Sequence, residues 1–455
     1  MDKHDAKTSQ KQDKFKCRER IACLKKIVNC RALRTEVRQR GLQKRASRKC
    51  PADVMVLFNI AIWLFANDNY TQVFRWMHRF SAKMMPSSSA LTQARARIGI
   101  PIMISTFKRV VGCLCHADTP GAFYAGLRLV AVDGFVLNLP DSDANRRAFG
   151  RPKNGNSFGA FPQCRIVALC EVGSHVFFSY LIKPIRCGEV TLAKCVYRDL
   201  PPESLLLFDI GFCAHELMTQ VIDSGSGFLG RSKMNRCFRQ MEVLSDGSYL
   251  SKIYATDYDR RRDRNGTIVR VIEYKLDDPQ RVGHSETHRL ITTLLDAEEH
   301  PAQRIVVLYH ERWEEEIAID EAKTHLRTSP KVRSHSPAGV VQEIAGLLIA
   351  HFTLRKLAFE AAAQAGVPPR QISFTGTVNL LRVNLVECPR SPRLFSAWYE
   401  SLIAEISLQV LEPRRNRINP RVIKRQQSKW NRKQEKHRKL PHLQHEFHET
   451  IRLLT

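Results

Sequence analysis

The run LRLVAVDGFVLNLP, residues 127–140, is where the fold of this chain is decided. Its apolar, β-branched texture predicts a strand, and Asp133 stands beside Gly134 at the C-terminal end of the apolar stretch. Working outward, CRIVALCEVG (164–173) and HVFFSYLIKP (175–184) have the same texture and predict two further strands separated by turn-like segments. GEVTLAKCVYRDL (188–200) then reads as a helix and SLLLFDIGF (204–212) as a strand carrying Asp209. AHELMTQVIDSG (214–225) is a helix closed by glycine, and GFLGRSK (227–233) is one more strand. Strands followed by alternating helix and strand predict an α/β layer fold.

From about 235 to 300 the pattern breaks. DGSYLSKIYATDYD, RNGTIVRVIEYKL and ETHRLITTLL are turn-rich and β-prone, so this stretch reads as an insertion forming a small sheet. The α/β pattern resumes with QRIVVLYHERWEEEIAIDEAKTHLR. The apolar helix GVVQEIAGLLIAHFTLRKLAFEAAAQAG follows, and then helical sequence at about 371–411. Upstream, residues 15–120 are helical in pattern: PADVMVLFNIAIWLFAND is a buried helix after a Pro start, and SSSALTQARARIG opens with N-capping serines. The expected domains are therefore 1–120 helical, 121–234 first part of the α/β core, 235–300 β-rich insertion, 301–365 second part of the core, and 366–455 helical with a basic tail.

The chain carries 72 Lys+Arg against 45 Asp+Glu, a formal charge of +27. The basic residues concentrate at the ends: 17 against five acids in 1–50, and 12 against one between Pro413 and Leu440. Such ends can be solvated tails, yet a surplus of this size favours a polyanionic partner, and nucleic acid is the usual one. No apolar run has the length of a membrane span and the N-terminus lacks a secretory signal, so no membrane partner is expected. The 13 cysteines are scattered without a CxxC pair. Cys113, Cys115 and His116 make only a fragment of a zinc site, and unpaired thiols fit a reducing, cytoplasmic setting.

Chemistry-bearing residues fall in three places. Asp133 and Asp209 each end an apolar strand beside a glycine, where an α/β sheet opens to its ligand crevice. Either alone is as readily a turn-forming aspartate. The third place is Tyr309, Arg312, Glu316 and Lys323, whose steps of three, four and seven return to one face of an α-helix. Glu314 and Glu315 fall on other faces and read as surface charges. Arg231 and Lys233, ending the strand after Asp209, are weaker candidates for phosphate contact.

Tyr-x2-Arg-x3-Glu-x6-Lys resembles the YREK signature of bacterial insertion-sequence (IS-four) transposases of the DDE class, with all four positions filled. VAVDGFVLNLPDSDANRRAFGRPKN resembles the block around that family's first catalytic aspartate, and LLLFDIGFCAHELMTQVIDSGSGFLGRSK resembles the second. ALTQARARIG is similar to the family's N-terminal helical domain and NPRVIKRQQSKW to its basic tail, so the likeness spans about 15 to 435. Phe135 and Ile210 depart from the pattern: relatives often carry a small hydroxyl residue and an arginine there.

The resemblance implies an RNase H-like catalytic core interrupted by the β-rich insertion. It implies Asp133, Asp209 and Glu316 as catalytic residues and ligands of two divalent ions, Mg²⁺ or Mn²⁺, per active site. Two such ions suit in-line displacement at phosphorus, and carboxylate oxygens suit hard ions. Tyr309, Arg312 and Lys323, with Arg231 and Lys233, would contact DNA. The implied partners are terminal inverted repeats and target DNA, with a homodimer pairing two ends and no small-molecule substrate. The setting would be a bacterial cytoplasm, associated with the nucleoid. Two competing readings are a nuclease of the same fold that cuts without joining and a non-catalytic DNA-binding regulator. In some relatives an insertion aromatic stacks on a flipped base. Here the insertion has no Trp, and Tyr249, Tyr254, Tyr258 and Tyr274 read as packing residues.

Overall fold

The computed structural model describes Leu24, 28–42, 50–77, 85–154, 157–275, 286–326 and 332–412 apart from 386 and 390. The basic tail beyond 412, with NPRVIKRQQSKW, and most of the basic N-terminus lie outside the described residues.

The chain begins with helices α1 (Cys30–Gln39), α2 (Ala52–Leu64), α3 (Tyr70–Met77) and α4 (Ser88–Val110). Pro51 caps α2, every residue of which is buried except Asp53, and the Ser87 hydroxyl caps α4 by accepting from the Ala90 amide at 3.2 Å. Within α4 the backbone turns at Gly99 (φ +71) ahead of Pro101, so the ALTQARARIG segment is one arm of a kinked helix.

The strands are β1 (Phe123–Tyr124), β2 (Leu127–Asn138), β3 (Lys153–Asn154), β4 (Ser157–Phe158), β5 (Gln163–Glu171), β6 (Val176–Pro184), β7 (Ser204–Phe208) and β8 (Gly227–Arg231). Between them come α5 (Asp143–Phe149), α6 (Glu189–Val196) and α7 (His215–Asp223). The second region supplies β9 (Glu242–Val243), β10 (Tyr249–Ile253), a short helix α8 (Asp257–Arg262), β11 (Thr267–Tyr274) and β12 (His288–Thr292). Together they make a mixed α/β fold. The main sheet is ten-stranded in the order β6-β5-β2-β7-β8-β12-β11-β10-β9, with β1 beside β2. β6, β5 and β2 are antiparallel, β2, β7 and β8 are parallel, and the rest alternate. The β-prone stretch thus builds no separate small sheet. β12 pairs with β8, Ile291 opposite Gly230, because β8 offers a free edge and Leu290 and Ile291 are buried on pairing.

Helices α9 (Ala302–Tyr309), α10 (Trp313–Asp320), α11 (Pro337–Ala365), α12 (Phe374–Asn384) and α13 (Pro392–Ser407) complete the chain. α11 is long and apolar enough to cross a membrane by length and composition, but 78% of its apolar window is buried inside the protein. It packs on α2, α4 and α13, so the N-terminal helices, the C-terminal helices and one sheet face share a single apolar core. Buried polar groups tie this core. Arg95 of α4 pairs with Glu343 of α11 at 3.0 Å and donates to Asn59 of α2 at 2.9 Å. Trp63 donates to the Glu343 carbonyl at 2.7 Å. The opposite face is covered by α6 and α7 over Val130, Val132, Leu206 and Phe208.

Candidate active site

Asp133 is not at the end of its strand: β2 runs on to Asn138, paired with β5. The crevice arises on the other side. β7 runs parallel to β2 with Phe208 opposite Val132 and stops there, so Asp209 leaves the sheet beside Asp133. A parallel register broken at one strand therefore brings the two aspartates together, 76 positions apart in sequence. The Asp133 side chain lies on the Ala131 face because side chains alternate, and α10 packs on that strand. Its Oδ1 accepts from the Gly134 amide at 2.6 Å.

Burial pushes the Asp133 carboxyl up to about 6. Glu316 and Glu189 add to the rise, while the Gly134 amide and Arg312 oppose it. Glu316, on the first turn of α10, accepts from Arg312 at 3.0 Å. Arg312 itself is only 6% exposed. Burial works against its charge, but Tyr309, Asp209 and Glu316 outweigh that and raise its pKa. A buried guanidinium thus stands among the three carboxylates rather than in open reach of a phosphate.

The other candidates are placed as follows. Tyr309 is buried and its hydroxyl donates to the Phe208 carbonyl at 3.3 Å, so it fastens the α9 end to the strand preceding Asp209. Solvent-facing contact with a DNA backbone is not available to it in this conformation. Lys323 does not follow Glu316 along one α-helical face. A 3₁₀ turn at His310–Arg312 precedes α10 and a π-helix at Glu321–His325 follows it, so the 3.6-residue period is broken on both sides. Arg231 ends β8 and reaches Glu286 at 3.8 Å. Lys233 lines a cavity of about 450 Å³ with Ile210, Gly211, Asn235 and Arg236, against the Asp209 turn. Phe135 is buried, 6.3 Å from the Phe177 ring. Of the insertion tyrosines, Tyr274 stacks on His288 and Tyr249 packs on the core, but Tyr258 is 57% exposed beneath Arg262.

Glu314 and Glu315 are not surface charges. Glu315 is 0% exposed, and no side chain bonds to either of its oxygens, the Asp133 backbone being the polar group beside them. Burial pushes its carboxyl well above the ordinary range, and the Asp133 charge adds to this. Glu314 is bonded to His175 Nε2 at 2.7 Å. The cause is the seating of α10 against β2 and β5, which turns this side of the helix inward. The signal was in the spacing: Glu315 and Ala318 lie three residues apart within α10 and are both buried. Behind them, Glu321 is clamped by Arg355, by His175 at 3.1 Å and by His351 at 3.2 Å. This buried cluster coincides with the π-helix and fixes the turn after Glu316.

Among the described residues no three His, Cys, Asp or Glu side chains stand close enough to hold an ion by themselves. The donors are nevertheless of the kind a hard divalent cation takes, carboxylate oxygens, of which the Asp133 carboxyl is desolvated. Mg²⁺-type sites need few protein ligands because waters and substrate oxygens complete the shell.

Residues 124–353, half of the chain, match the family described as Transposase DDE domain. The chain belongs to the DDE transposases. Residues 18–108 further match the Insertion element 4 transposase N-terminal family. The transposase InsG for insertion sequence element IS4 of Escherichia coli (strain K12) is 26% identical over 391 residues, covering 84% of this chain and 87% of InsG. The putative transposase InsZ of the same organism is 28% identical over 190 residues, 39% of this chain and 60% of InsZ. Among solved structures, a cryo-EM piggyBac transposase synaptic complex with hairpin DNA aligns over 85% of both chains at 12% identity and a TM-score of 0.43. This transposase therefore shares the sequence family of insertion-sequence enzymes along most of its length.

Proposed function

We propose that this transposase cuts DNA at the ends of an insertion sequence and joins the freed 3′ ends to target DNA, using Asp133, Asp209 and Glu316. The observation that carries the reading is the register of β2 and β7, which sets Asp133 beside Asp209 where β7 ends, with α10 packed on β2. The order β6-β5-β2-β7-β8 supports an RNase H-like core, extended rather than merely interrupted by β9–β12. The division into 1–120, 121–234, 235–300, 301–365 and 366–455 is retained as a functional one, with helices of 1–120, 301–365 and 366–455 sharing one apolar core.

Two divalent ions, Mg²⁺ or Mn²⁺, would activate the attacking oxygen and stabilise the leaving one. Asp133 and Asp209 would hold one between them, and Glu316 would contribute once released from Arg312. Arg312 would then be free to turn to a phosphate oxygen, exchanging one anion for another. Lys233 and Arg236, in the cavity beside the Asp209 turn, would hold the strand leading to the scissile bond. Two copies would pair the two terminal inverted repeats.

The test is cleavage and joining of end-containing duplex by purified protein with Mg²⁺. Asp133→Ala should abolish both, by at least about a thousandfold, while end binding in a gel-shift persists. Cleavage surviving in Asp133→Ala would sink the assignment, and cleavage without joining by the parent protein would make it a nuclease.

A further inference from the structure

The helix that carries Glu316 is fastened by a side chain from outside it. Glu314 and Glu321 stand seven residues apart, two helical turns, so both project from one side of this stretch, with Glu316 between them in sequence. One imidazole reaches both: His175 Nε2 lies 2.7 Å from Glu314 Oε2, and Nδ1 lies 3.1 Å from Glu321 Oε1. A carboxylate oxygen only accepts, so Nε2 carries a proton and donates to Glu314. The ring is itself held from two directions. His175 is buried in the turn from β5 to β6 with a left-handed backbone (φ +63), and its amide donates to the Glu171 carbonyl at 2.8 Å. Glu171 is buried in turn and accepts from the Leu114 amide at 2.8 Å. From α11, Arg355 Nη2 meets His175 Nδ1 at 2.6 Å. The strand β5 that runs into this turn is the one paired with β2, Ala168 opposite Asp133. The strand of Asp133 and the helix of Glu316 are thus tied through a single hairpin.

We infer that His175 is a positioning residue for Glu316: by bonding Glu314 and Glu321 across two turns, it fixes the rotation of α10 about its own axis. The inference rests on the reading of Glu316 as part of the active site. Residues of an α-helix follow one another by about 100°, so Glu316 leaves α10 roughly 200° around from Glu314, on the side away from the ring. His175 therefore acts on Glu316 only through the helix. Apolar packing of α10 on β2 and β5 would hold the helix on the sheet without fixing its rotation, whereas the directional N–H···O bond does fix it. A small rotation would swing the Glu316 carboxylate out of reach of the reacting phosphate, and displacements of about 1 Å are enough to slow such chemistry severely.

The experiment is single-turnover cleavage of end-containing duplex by the full-length protein with Mg²⁺. Beside it, end binding is read by gel-shift without metal, and hydrogen exchange is followed at the 313–320 amides. His175→Asn suits the left-handed backbone but loses the reach to Glu314, and Glu314→Ala removes the same bond from the helix side. Each should slow cleavage by about tenfold to a hundredfold and speed exchange of these amides, with end affinity unchanged. Glu314→Gln keeps an acceptor for Nε2 and should lose less than Glu314→Ala. Because both substitutions break one bond, His175→Asn/Glu314→Ala should cleave no more slowly than the slower single variant. Circular dichroism checks folding, and if His175→Asn does not fold, the comparison of Glu314→Ala with Glu314→Gln decides. Wild-type cleavage in folded His175→Asn or Glu314→Ala, or losses that multiply in the double variant, overturns the inference. Glu316→Ala separates the two levels: if it still cleaves, the reading of Glu316 is wrong and the inference falls with it.

Discussion

At the scale of single residues, the carboxyl of Asp133 shows how burial and function pull against each other. It is raised from 3.8 to about 6, chiefly because the sheet and α10 strip water from it. The folded protein then binds this proton more tightly than the unfolded chain does. The stability it contributes is complete below about pH 4 and is lost as the pH rises through about 6. Asp133→Asn removes the charge and hence the loss. Metal-free Asp133→Asn should melt like the wild type near pH 4 and be more stable by up to about 3 kcal/mol at pH 8. Thermal melts across pH 4–8 measure this, and a constant difference between the two proteins would contradict it. A bound cation should reverse the ranking at pH 8, because the charged carboxylate is then the form that is stabilised.

At the scale of elements, α10 is a helix with its polarity partly inverted. Glu315 is buried with no side-chain partner for either oxygen, the arrangement in which an apolar isostere is expected to do better. Glu315→Leu should raise the stability of the metal-free protein by about 1–3 kcal/mol, read as a higher melting temperature. A lower one would mean that the carboxyl has a structural partner. This helix also marks the boundary of what was legible beforehand. The strands around Asp133 and Asp209 could be read because LVAV and LLLF are unbroken apolar runs, although β2 continues past Gly134 where the sequence suggested an end. Glu316 could be read because its spacing from Arg312 is local. The places of Lys323 and Tyr309 could not, since they depend on a 3₁₀ turn and a π-helix held by His175, His351 and Arg355 from distant segments.

At the scale of the whole molecule, helices from both ends of the chain pack with α11 in one apolar core. Arg95 and Glu343 form a buried ion pair across that junction, with side chains 5% and 0% exposed. Arg95→Met would leave Glu343 buried with only its neutral partners, at a cost of about 3–5 kcal/mol. Urea unfolding followed by helix and tryptophan signals should shift to lower denaturant with both signals still coincident. Separate transitions in the wild type would show that the N-terminal helices fold independently. The continuity of the sheet has a related consequence for how such a chain could arise or be trimmed. Because β12 completes the hydrogen bonding of β8, the stretch from β9 to β12 cannot be cut away as a loop could. Its removal would bare a strand edge flanked by the buried Phe228 and Leu229, a template for joining one molecule to the next, so shortened forms should be insoluble before they are inactive.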